Sequence, residues 1–322
     1  MPINIPDGLP AKQILHEERI FALEEEVASG QHIRPLRVAI LNLMPTKIET
    51  ETQILRLISK SPLQVSCDFM RVSSHESRNV SSDHLVKFYE TFDSFRDQNY
   101  DGLIVTGAPV EHLPFAEVDY WDELCEIMDW AQEHVFSTMY LCWGALAALW
   151  HYYGIPKKQL GAKLFGVFPQ RLCDEYSFLT NGFDELHYMP HSRHAAIDTA
   201  ELANHPELRT LSEGFSSGPA LVATEDFHEI YVTGHFEYGR DTLAQEYWRD
   251  FHKGLPIRLP ENYFPDDDPA RPPIFTWRAH ANLLYRNWLN WVYQMTPYNL
   301  DEIPEAIRSL RAKTYGMAEK FD

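Results

Sequence analysis

The first half of the chain alternates short apolar runs with amphipathic stretches. Four runs have the continuous, β-branched character of buried strands: 37–43, 63–72, 100–107 and 137–141. Each is followed by a helical pattern: 47–58, about 85–92, 122–134 and a stretch after Cys142. Strand and helix thus alternate four times, which predicts an α/β fold with a mostly parallel sheet and helices on both faces. Ligands of such sheets bind at the carboxyl ends of the strands, so we expect the site there.

The fourth strand ends at a cysteine. Cys142 follows Ser137–Leu141, and an alanine- and leucine-rich helical pattern begins around Gly144. The analogous serine turn of hydrolases holds its nucleophile on a strained bend. A helix N-terminus also favours thiolate over thiol. Most cysteines are inert and pack as small apolar groups, which is our interpretation of the remaining three, Cys67, Cys125 and Cys173. The context of Cys142 instead predicts a nucleophile.

A further short strand, predicted over Tyr231–Glu237, ends in His-x-Glu. Thiol attack needs a base beside the sulfur and a group that orients the base. Residues two apart on a strand share a face, so we expect Glu237 beside the ring of His235. The sequence therefore predicts a Cys142–His235–Glu237 triad. His-x-Glu also opens a zinc deaminase signature, but the Pro-Cys-x-x-Cys that must follow is absent, which excludes that class.

Two further motifs leave more than one interpretation open. Thr106–Pro109 follows the third strand and is either an ordinary turn or, because Gly107 allows close backbone approach, a source of an oxyanion N–H. His187 and His191 would share a metal if they lay on a helix, with His194 close by. Pro190 breaks such a helix, so a packing or solvated cluster is favoured and no metal site is predicted.

Composition limits the partners. The net charge of −19, from 28 basic and 47 acidic residues, argues against nucleic acid or an anionic membrane as the main partner. An anionic small molecule is not excluded, because a local basic pocket can override the global sign. No apolar run reaches the length of a membrane span, and no basic and apolar leader begins the chain. With four cysteines and no C-x-x-C pair, we expect reduced thiols in a cytoplasm.

The second half is less regular. Strands are predicted at 161–168 and 220–223, and helices at 241–251 and 277–293. The Pro- and Asp-rich stretch 255–273 is either a linker or a long ordered loop covering the site. We expect one domain over residues 1–300, with an N-terminal extension at 1–35, and a charged helical tail over 301–322.

Together these features resemble the homoserine O-acyltransferases of methionine biosynthesis, the branch with a class I glutamine-amidotransferase-like (flavodoxin-like) fold and additional C-terminal helices. The similarity runs from the N-terminus to about residue 300. The matching segments are Val38–Lys47, Val105–Pro109, Tyr140–Gly144 and Gly234–Tyr238. One position departs from true amidotransferases, which usually have Gly two residues before the cysteine, where this chain has Tyr140.

The resemblance implies a ping-pong acyl transfer through an acyl-cysteine thioester. Cys142 would attack the thioester of an acyl-coenzyme A, with His235 as general base and acid and Glu237 orienting it. The hydroxyl of homoserine would then take the acyl group. Acyl-CoA is a co-substrate, no cofactor is expected, and a homodimer is what the family suggests.

The resemblance also assigns residues around this triad. Lys163, Ser192 and Arg249 would contact substrate, although Arg249 on its own looks like an ordinary surface residue of a helix. A guanidinium suits the carboxylate of an amino acid, since it binds bidentately. The N–H of Trp143 and one from the Gly107–Ala108 turn would form the oxyanion hole.

Glu111 is implied as a main determinant of the acyl donor, together with Ser192. In the family, Gly at this position accompanies succinyl and Glu accompanies acetyl. Succinyl carries a second carboxylate, and two like charges about 4 Å apart at an effective dielectric near 20 repel by about 4 kcal/mol. Glu also fills space that a longer acyl chain would need. The chain is therefore expected to use acetyl-CoA.

Three alternatives remain. The first is homoserine O-succinyl transfer from succinyl-CoA. The second is a glutaminase or cysteine peptidase of the same fold, although no synthetase domain that a glutaminase would serve is visible. The third is a binding module with a vestigial site, against which the intact Cys142, His235 and Glu237 argue.

Overall fold

One twelve-stranded sheet runs through the computed structural model, which describes residues 3–17, 22–24, 34–74 and 82–316. The strands are β1 (Ile3–Ile5), β2 (Ala22–Glu24), β3 (Leu36–Leu41), β4 (Val65–Arg71), β5 (Tyr89–Thr91), β6 (Tyr100–Val105), β7 (Val135–Leu141), β8 (Lys157–Leu172), β9 (Leu186–Ile197), β10 (Leu208–Gly214), β11 (Gly218–Thr224) and β12 (Glu229–Val232). The helices are α1 (Ala11–Glu17), α2 (Lys47–Ile58), α3 (Ser82–Phe88), α4 (Trp121–His134), α5 (Trp143–Tyr153), α6 (Thr199–Leu202), α7 (Thr242–His252), α8 (Arg278–Met295) and α9 (Ile303–Gly316).

The strand order is β2-β1-β4-β3-β6-β7-β12-β11-β10-β8-β9, and β5 pairs with β4. The pairs from β2 to β12 are parallel, and those from β12 to β9 are antiparallel. Leu141 at the end of β7 lies opposite Val232 at the end of β12. The register therefore brings the segments after these two strands to one edge of the sheet, where α/β proteins bind ligands.

Both faces of the sheet are buried. On β3, Val38 and Ile40 pack with residues of α2 and α8, whereas Ala39 and Leu41 pack with residues of α4 and α5. This alternation follows from the two-residue period of a strand. The prediction of a mostly parallel sheet with helices on both faces is confirmed. Among the described residues, no helix combines the length and apolar character needed to cross a bilayer.

The second half forms a long antiparallel hairpin of β8 and β9, of which only the middle of β8 was predicted. The stretch 255–273 pairs with β8 through Val167 N to Glu261 O at 2.8 Å and Glu261 N to Phe165 O at 2.9 Å. A Cβ at Gly166 would lie 2.4 Å from the Glu261 oxygen, so only glycine permits this approach. The stretch is thus an ordered loop packed on β8. Beyond it, α9 buries Ile303 and Ile307 in the main core.

Candidate active site

Cys142 occupies a strained corner between β7 and α5. Its backbone has φ 49° and ψ −113°, a region that residues with a side chain rarely adopt. The Cys142 N–H donates to Val232 O at 2.7 Å, which ties the corner to the end of β12. The side chain is 6% exposed and lines a cavity of about 620 Å³. This is the sharp strand-to-helix turn that the sequence predicts.

Two glycines let neighbouring backbones meet at this corner. A Cβ at Gly144 would lie 2.7 Å from the carbonyl oxygen of Thr106, so the start of α5 can pack on the end of β6 only without a side chain there. A Cβ at Gly107 would lie 3.3 Å from the Cβ of Cys142. The Cys-x-Gly spacing and the Gly107 turn therefore belong to one close contact around the thiol.

His235 and Glu237 meet in a turn rather than on a strand. His235 Nδ1 and Glu237 Oε1 are 2.6 Å apart, and both side chains are buried. The expectation of contact holds, but its reason was wrong, because β12 ends at Val232. The turn is fixed by a hydrogen bond from His235 N–H to Pro190 O at 2.8 Å.

The surroundings of His235 favour its charged form. Burial lowers the pKa of His235, but the charges of Cys142 and Glu237 and a hydrogen bond with each raise it, so that the net pKa lies well above the usual value. Tyr238 stacks on the ring, with centroids 4.1 Å apart and planes at 7°. The arrangement suits an imidazolium that faces the Cys142 sulfur.

Backbone N–H groups without an acceptor among the described residues lie beside the Cys142 corner. Within the described ranges, the N–H groups of Gly107, Ala108 and Trp143 donate to no protein acceptor. Trp143 is the first residue of α5, so its N–H has no partner inside the helix. Gly107 and Ala108 line the same cavity as Cys142. These donors can hold an oxyanion formed next to the sulfur.

The three substrate contacts implied by the resemblance converge on a carboxylate that escaped prediction. Glu246 Oε1 accepts from Lys163 Nζ at 2.5 Å, Glu246 Oε2 accepts from Ser192 Oγ at 2.9 Å, and Arg249 Nη2 lies 3.7 Å from Oε1. Arg249 also forms a two-pronged pair with Asp250, with Nε 2.7 Å from Oδ1 and Nη2 2.8 Å from Oδ2. That pair raises the pKa of Arg249 and lowers that of Asp250. The available signal was the spacing of three residues between Glu246 and Arg249, which places them on one face of α7.

Glu111 is held against β9 across the cavity. Its Oε1 accepts the His194 N–H at 2.7 Å, and its backbone oxygen accepts from Lys157 Nζ at 2.8 Å and Gln159 Nε2 at 2.7 Å. His194 lies two residues from Ser192 on the same strand. The structure thus places both residues implied in donor choice on the lining of the Cys142 cavity.

The histidine cluster lies on β9 instead of a helix. His187 is buried and its Nε2 lies 2.9 Å from Ser212 Oγ, His191 is buried next to Arg193, and His194 is exposed. In the described part of the chain, no three candidate ligands come together as a metal site. The stretch 255–273 contributes no residue to the lining of the Cys142 cavity.

A cysteine on a strand-to-helix corner, with a His–Glu pair from the turn after the neighbouring strand, defines a class I glutamine-amidotransferase-like fold with a cysteine–histidine–glutamate site. A protein from Thermoplasma acidophilum described as part of a GMP synthase has the same fold, with a TM-score of 0.51 at 12% identity over 82% of this chain and 96% of that one.

The sequence family is more specific. A family model described as homoserine O-succinyltransferase matches residues 2–298, and the chain belongs to that family. The homoserine O-acetyltransferase of Bifidobacterium adolescentis is 63% identical over 98% of this chain and 92% of its own length. That of Acetivibrio thermocellus is 52% identical over 94% of this chain and 100% of its own length. The family resemblance is therefore confirmed.

Proposed function

We propose that this protein transfers an acetyl group from acetyl-CoA to the hydroxyl of L-homoserine, giving O-acetyl-L-homoserine and CoA in methionine biosynthesis. The observation that carries the proposal is the strained Cys142 corner beside the His235–Glu237 pair. The relatives named homoserine O-acetyltransferase, at 63% and 52% identity, support the substrate and the donor.

The first half-reaction acetylates the enzyme. The Cys142 thiolate attacks the carbonyl carbon of acetyl-CoA, and the oxyanion is bound by the Trp143 N–H and a donor from the Gly107–Ala108 turn. The bond from the carbonyl carbon to the CoA sulfur then breaks, and the His235 imidazolium gives its proton to that sulfur. CoA leaves, so that acetyl-Cys142 and a neutral histidine remain.

The second half-reaction returns the enzyme to its starting state. The homoserine hydroxyl gives its proton to His235 while its oxygen attacks the acetyl carbonyl carbon. The bond to Cys142 Sγ breaks and restores the thiolate beside an imidazolium. Glu237 holds Nδ1, which leaves the other ring nitrogen for both proton transfers.

Homoserine is recognised by both of its charges. We assign its carboxylate to Arg249 and Lys163, the cations of this cavity wall, and its ammonium group to Glu246. Asp250 holds the guanidinium before substrate enters. The hydroxyl of homoserine would then extend toward Cys142 across the same cavity.

Acetyl is favoured over succinyl by Glu111. Its carboxylate lines the cavity that receives the acyl group, where a succinyl carboxylate would meet a like charge. The family description names succinyl and these two relatives are named for acetyl. The side chain at position 111 supports acetyl-CoA as the donor.

The experiment is to incubate the protein with acetyl-CoA alone and weigh it intact. We expect one added acetyl group, mapped to Cys142, with release of CoA thiol, and removal of the adduct when homoserine is added. Cys142→Ala should remain unmodified. Product formed without an acetylated protein, or ammonia released from glutamine, would overturn the proposal in favour of direct transfer or a glutaminase.

A further inference from the structure

A second, larger cavity adjoins the catalytic one. Its volume is about 740 Å³, and it extends along α2 and the start of α8. The two cavities share five wall residues: Glu49, Gln53, Tyr238, Thr242 and Gln245. Gln53 Nε2 donates to Thr242 Oγ1 at 3.1 Å, so the shared wall is a polar rim between them. A ligand in the second cavity can reach Cys142 by crossing this rim.

The second cavity has four cations against three carboxylates in its lining, a small cationic excess in a chain of net charge −19. Its cationic lining consists of Arg56, Lys60, Arg240 and Arg278. Its acidic lining is Glu49 on the shared rim, Glu237 of the triad, and Asp241. In the described ranges, Lys60, Arg240 and Arg278 form no ion pair with a carboxylate. Cations without a carboxylate partner favour an anionic ligand.

The catalytic cavity has the opposite balance. Its lining contains one lysine and one arginine, Lys163 and Arg249, and four carboxylates: Glu49, Glu111, Glu246 and Asp250. A phosphate-bearing group therefore fits the second cavity better than the first. An acyl-CoA has such a group at one end and its thioester at the other.

The face of α2 connects the two. Glu49, Gln53 and Arg56 follow each other at spacings of four and three residues, which places them along one face of α2, and Lys60 lies in the turn just beyond the end of that helix. At a rise of 1.5 Å per residue, Glu49 and Arg56 are about 10 Å apart along the helix. The cations therefore follow the polar rim along this helix, and the pantetheine arm of an acyl-CoA would lie along the same face. Phe275, under the Arg278 guanidinium at 4.4 Å, adds an aromatic face to the same wall.

Building on the proposed function, we propose that this second cavity binds the phosphates of acyl-CoA. Lys60, Arg240 and Arg278, with Arg56, take the pyrophosphate and the ribose phosphate. The amide groups of the pantetheine arm cross the rim at Gln53 and Thr242, and the thioester reaches Cys142. The site gives the donor a place outside the homoserine pocket.

The test compares two donors on single variants. The variants are Lys60→Gln, Arg240→Gln and Arg278→Gln. All three side chains are exposed, so we expect the fold to be preserved. We expect each to raise KM for acetyl-CoA about tenfold, since a charge-assisted hydrogen bond is lost. The rate with S-acetyl-N-acetylcysteamine, which has no phosphate, and KM for homoserine should not change. Arg286→Gln is the matched control, because it is exposed on α8 and lines neither cavity.

Binding of CoA itself, measured by calorimetry, gives a readout independent of turnover. We expect the three variants to weaken it about tenfold and Arg286→Gln to leave it unchanged. Unaltered CoA affinity in all three, or equal losses with the two donors, would overturn the assignment of this cavity. A wild-type protein that binds CoA here but acetylates neither itself nor homoserine would instead overturn the proposed function alone.

Discussion

Tyr238 covers one face of the His235 ring, with ring centroids 4.1 Å apart and planes at 7°. Glu237 holds the ring edge through Nδ1 at 2.6 Å. The stacking contact and the hydrogen bond together fix the orientation of the imidazole ring. Because Tyr238 also lines the catalytic cavity and the basic one beside it, the same ring forms part of the path to the thiol.

We predict that the Tyr238 ring matters more than its hydroxyl. Tyr238→Phe should keep kcat within about twofold, whereas Tyr238→Ala should lower kcat about fivefold, because stacking worth about 1 kcal/mol no longer orients the base. The acidic limb of the pH–rate profile should shift in the Ala variant only. Equal losses in both variants would show that the hydroxyl, not the stack, is what matters.

The strained backbone at Cys142 should lower the stability of the protein. A φ of 49° with ψ −113° costs a residue with a side chain about 1–3 kcal/mol, and glycine avoids that cost. Cys142→Gly should therefore be about 1 kcal/mol more stable than Cys142→Ala, and both should be inactive. Urea unfolding of the two variants measures the difference. A less stable Gly variant would mean that the corner is relaxed.

Glu246 should govern homoserine and not the acyl donor. Glu246→Gln keeps the shape of the side chain but removes the charge that holds Lys163 and is assigned to the ammonium group. We expect KM for homoserine to rise about tenfold or more, while acetylation of Cys142 by acetyl-CoA alone proceeds at its normal rate. Steady-state kinetics and single-turnover mass measurements separate the two. A slower acetylation step would place Glu246 in donor binding.

The nucleophile turn and the parallel half of the sheet were predictable, because both leave a local signal. A continuous apolar run ending at Cys142, followed by Gly144 and a helical pattern, specifies a strand, a corner and a helix from neighbouring residues alone. The His235–Glu237 contact was predicted for the wrong reason. Its turn is set by the distant carbonyl of Pro190, which the sequence pattern does not reveal.

Strand β9 could not be recognised from its sequence. It contains Pro190, several histidines and an arginine, and proline usually argues against a strand. The strand tolerates Pro190 because it lies at the edge of the sheet, after β8 in the strand order. Glu246 was missed for a related reason: its partners Lys163 and Ser192 come from β8 and β9, so only the folded chain brings them together.

Acid should destabilise the fold through its buried histidines. Burial, helped by the neighbouring His280, lowers the pKa of His187 to about 4, although Asp184 opposes this. Between pH 6.5 and 4 the unfolded chain binds a proton that folded His187 does not, so the free energy of unfolding falls as pH falls through that window. His228, buried as well, has a pKa lowered to about 4 and adds to the loss.

The His187 contribution is tested by His187→Gln, whose amide can still bond the Ser212 hydroxyl. Going from pH 7 to pH 5, the wild type should lose about 2 kcal/mol more stability than this variant. His194→Gln, on the same strand but exposed, should behave as the wild type. Urea unfolding at the two pH values measures all three proteins. Identical pH slopes would show that His187 titrates alike in both states.

Substitution of Glu111 should change which acyl donor the protein prefers. The backbone oxygen of this residue, not its side chain, accepts from Lys157 and Gln159, so Glu111→Gly should preserve the loop while emptying the space beside Ser192. The His194 N–H loses its carboxylate acceptor and becomes available to a succinyl carboxylate. We expect kcat/KM for succinyl-CoA to rise by about a hundredfold or more, given a repulsion of about 4 kcal/mol removed.

Glu111→Gln separates charge from size, because it removes the repulsion and keeps the volume. If the charge of Glu111 determines donor choice, Glu111→Gln should use succinyl-CoA nearly as well as Glu111→Gly does. If its volume determines donor choice, Glu111→Gln should keep its preference for acetyl-CoA. Acetylation of Cys142 by acetyl-CoA should persist in both variants, which shows that the thiol site is intact. An unchanged preference for acetyl-CoA in Glu111→Gly would place the determinant of donor choice elsewhere in the cavity.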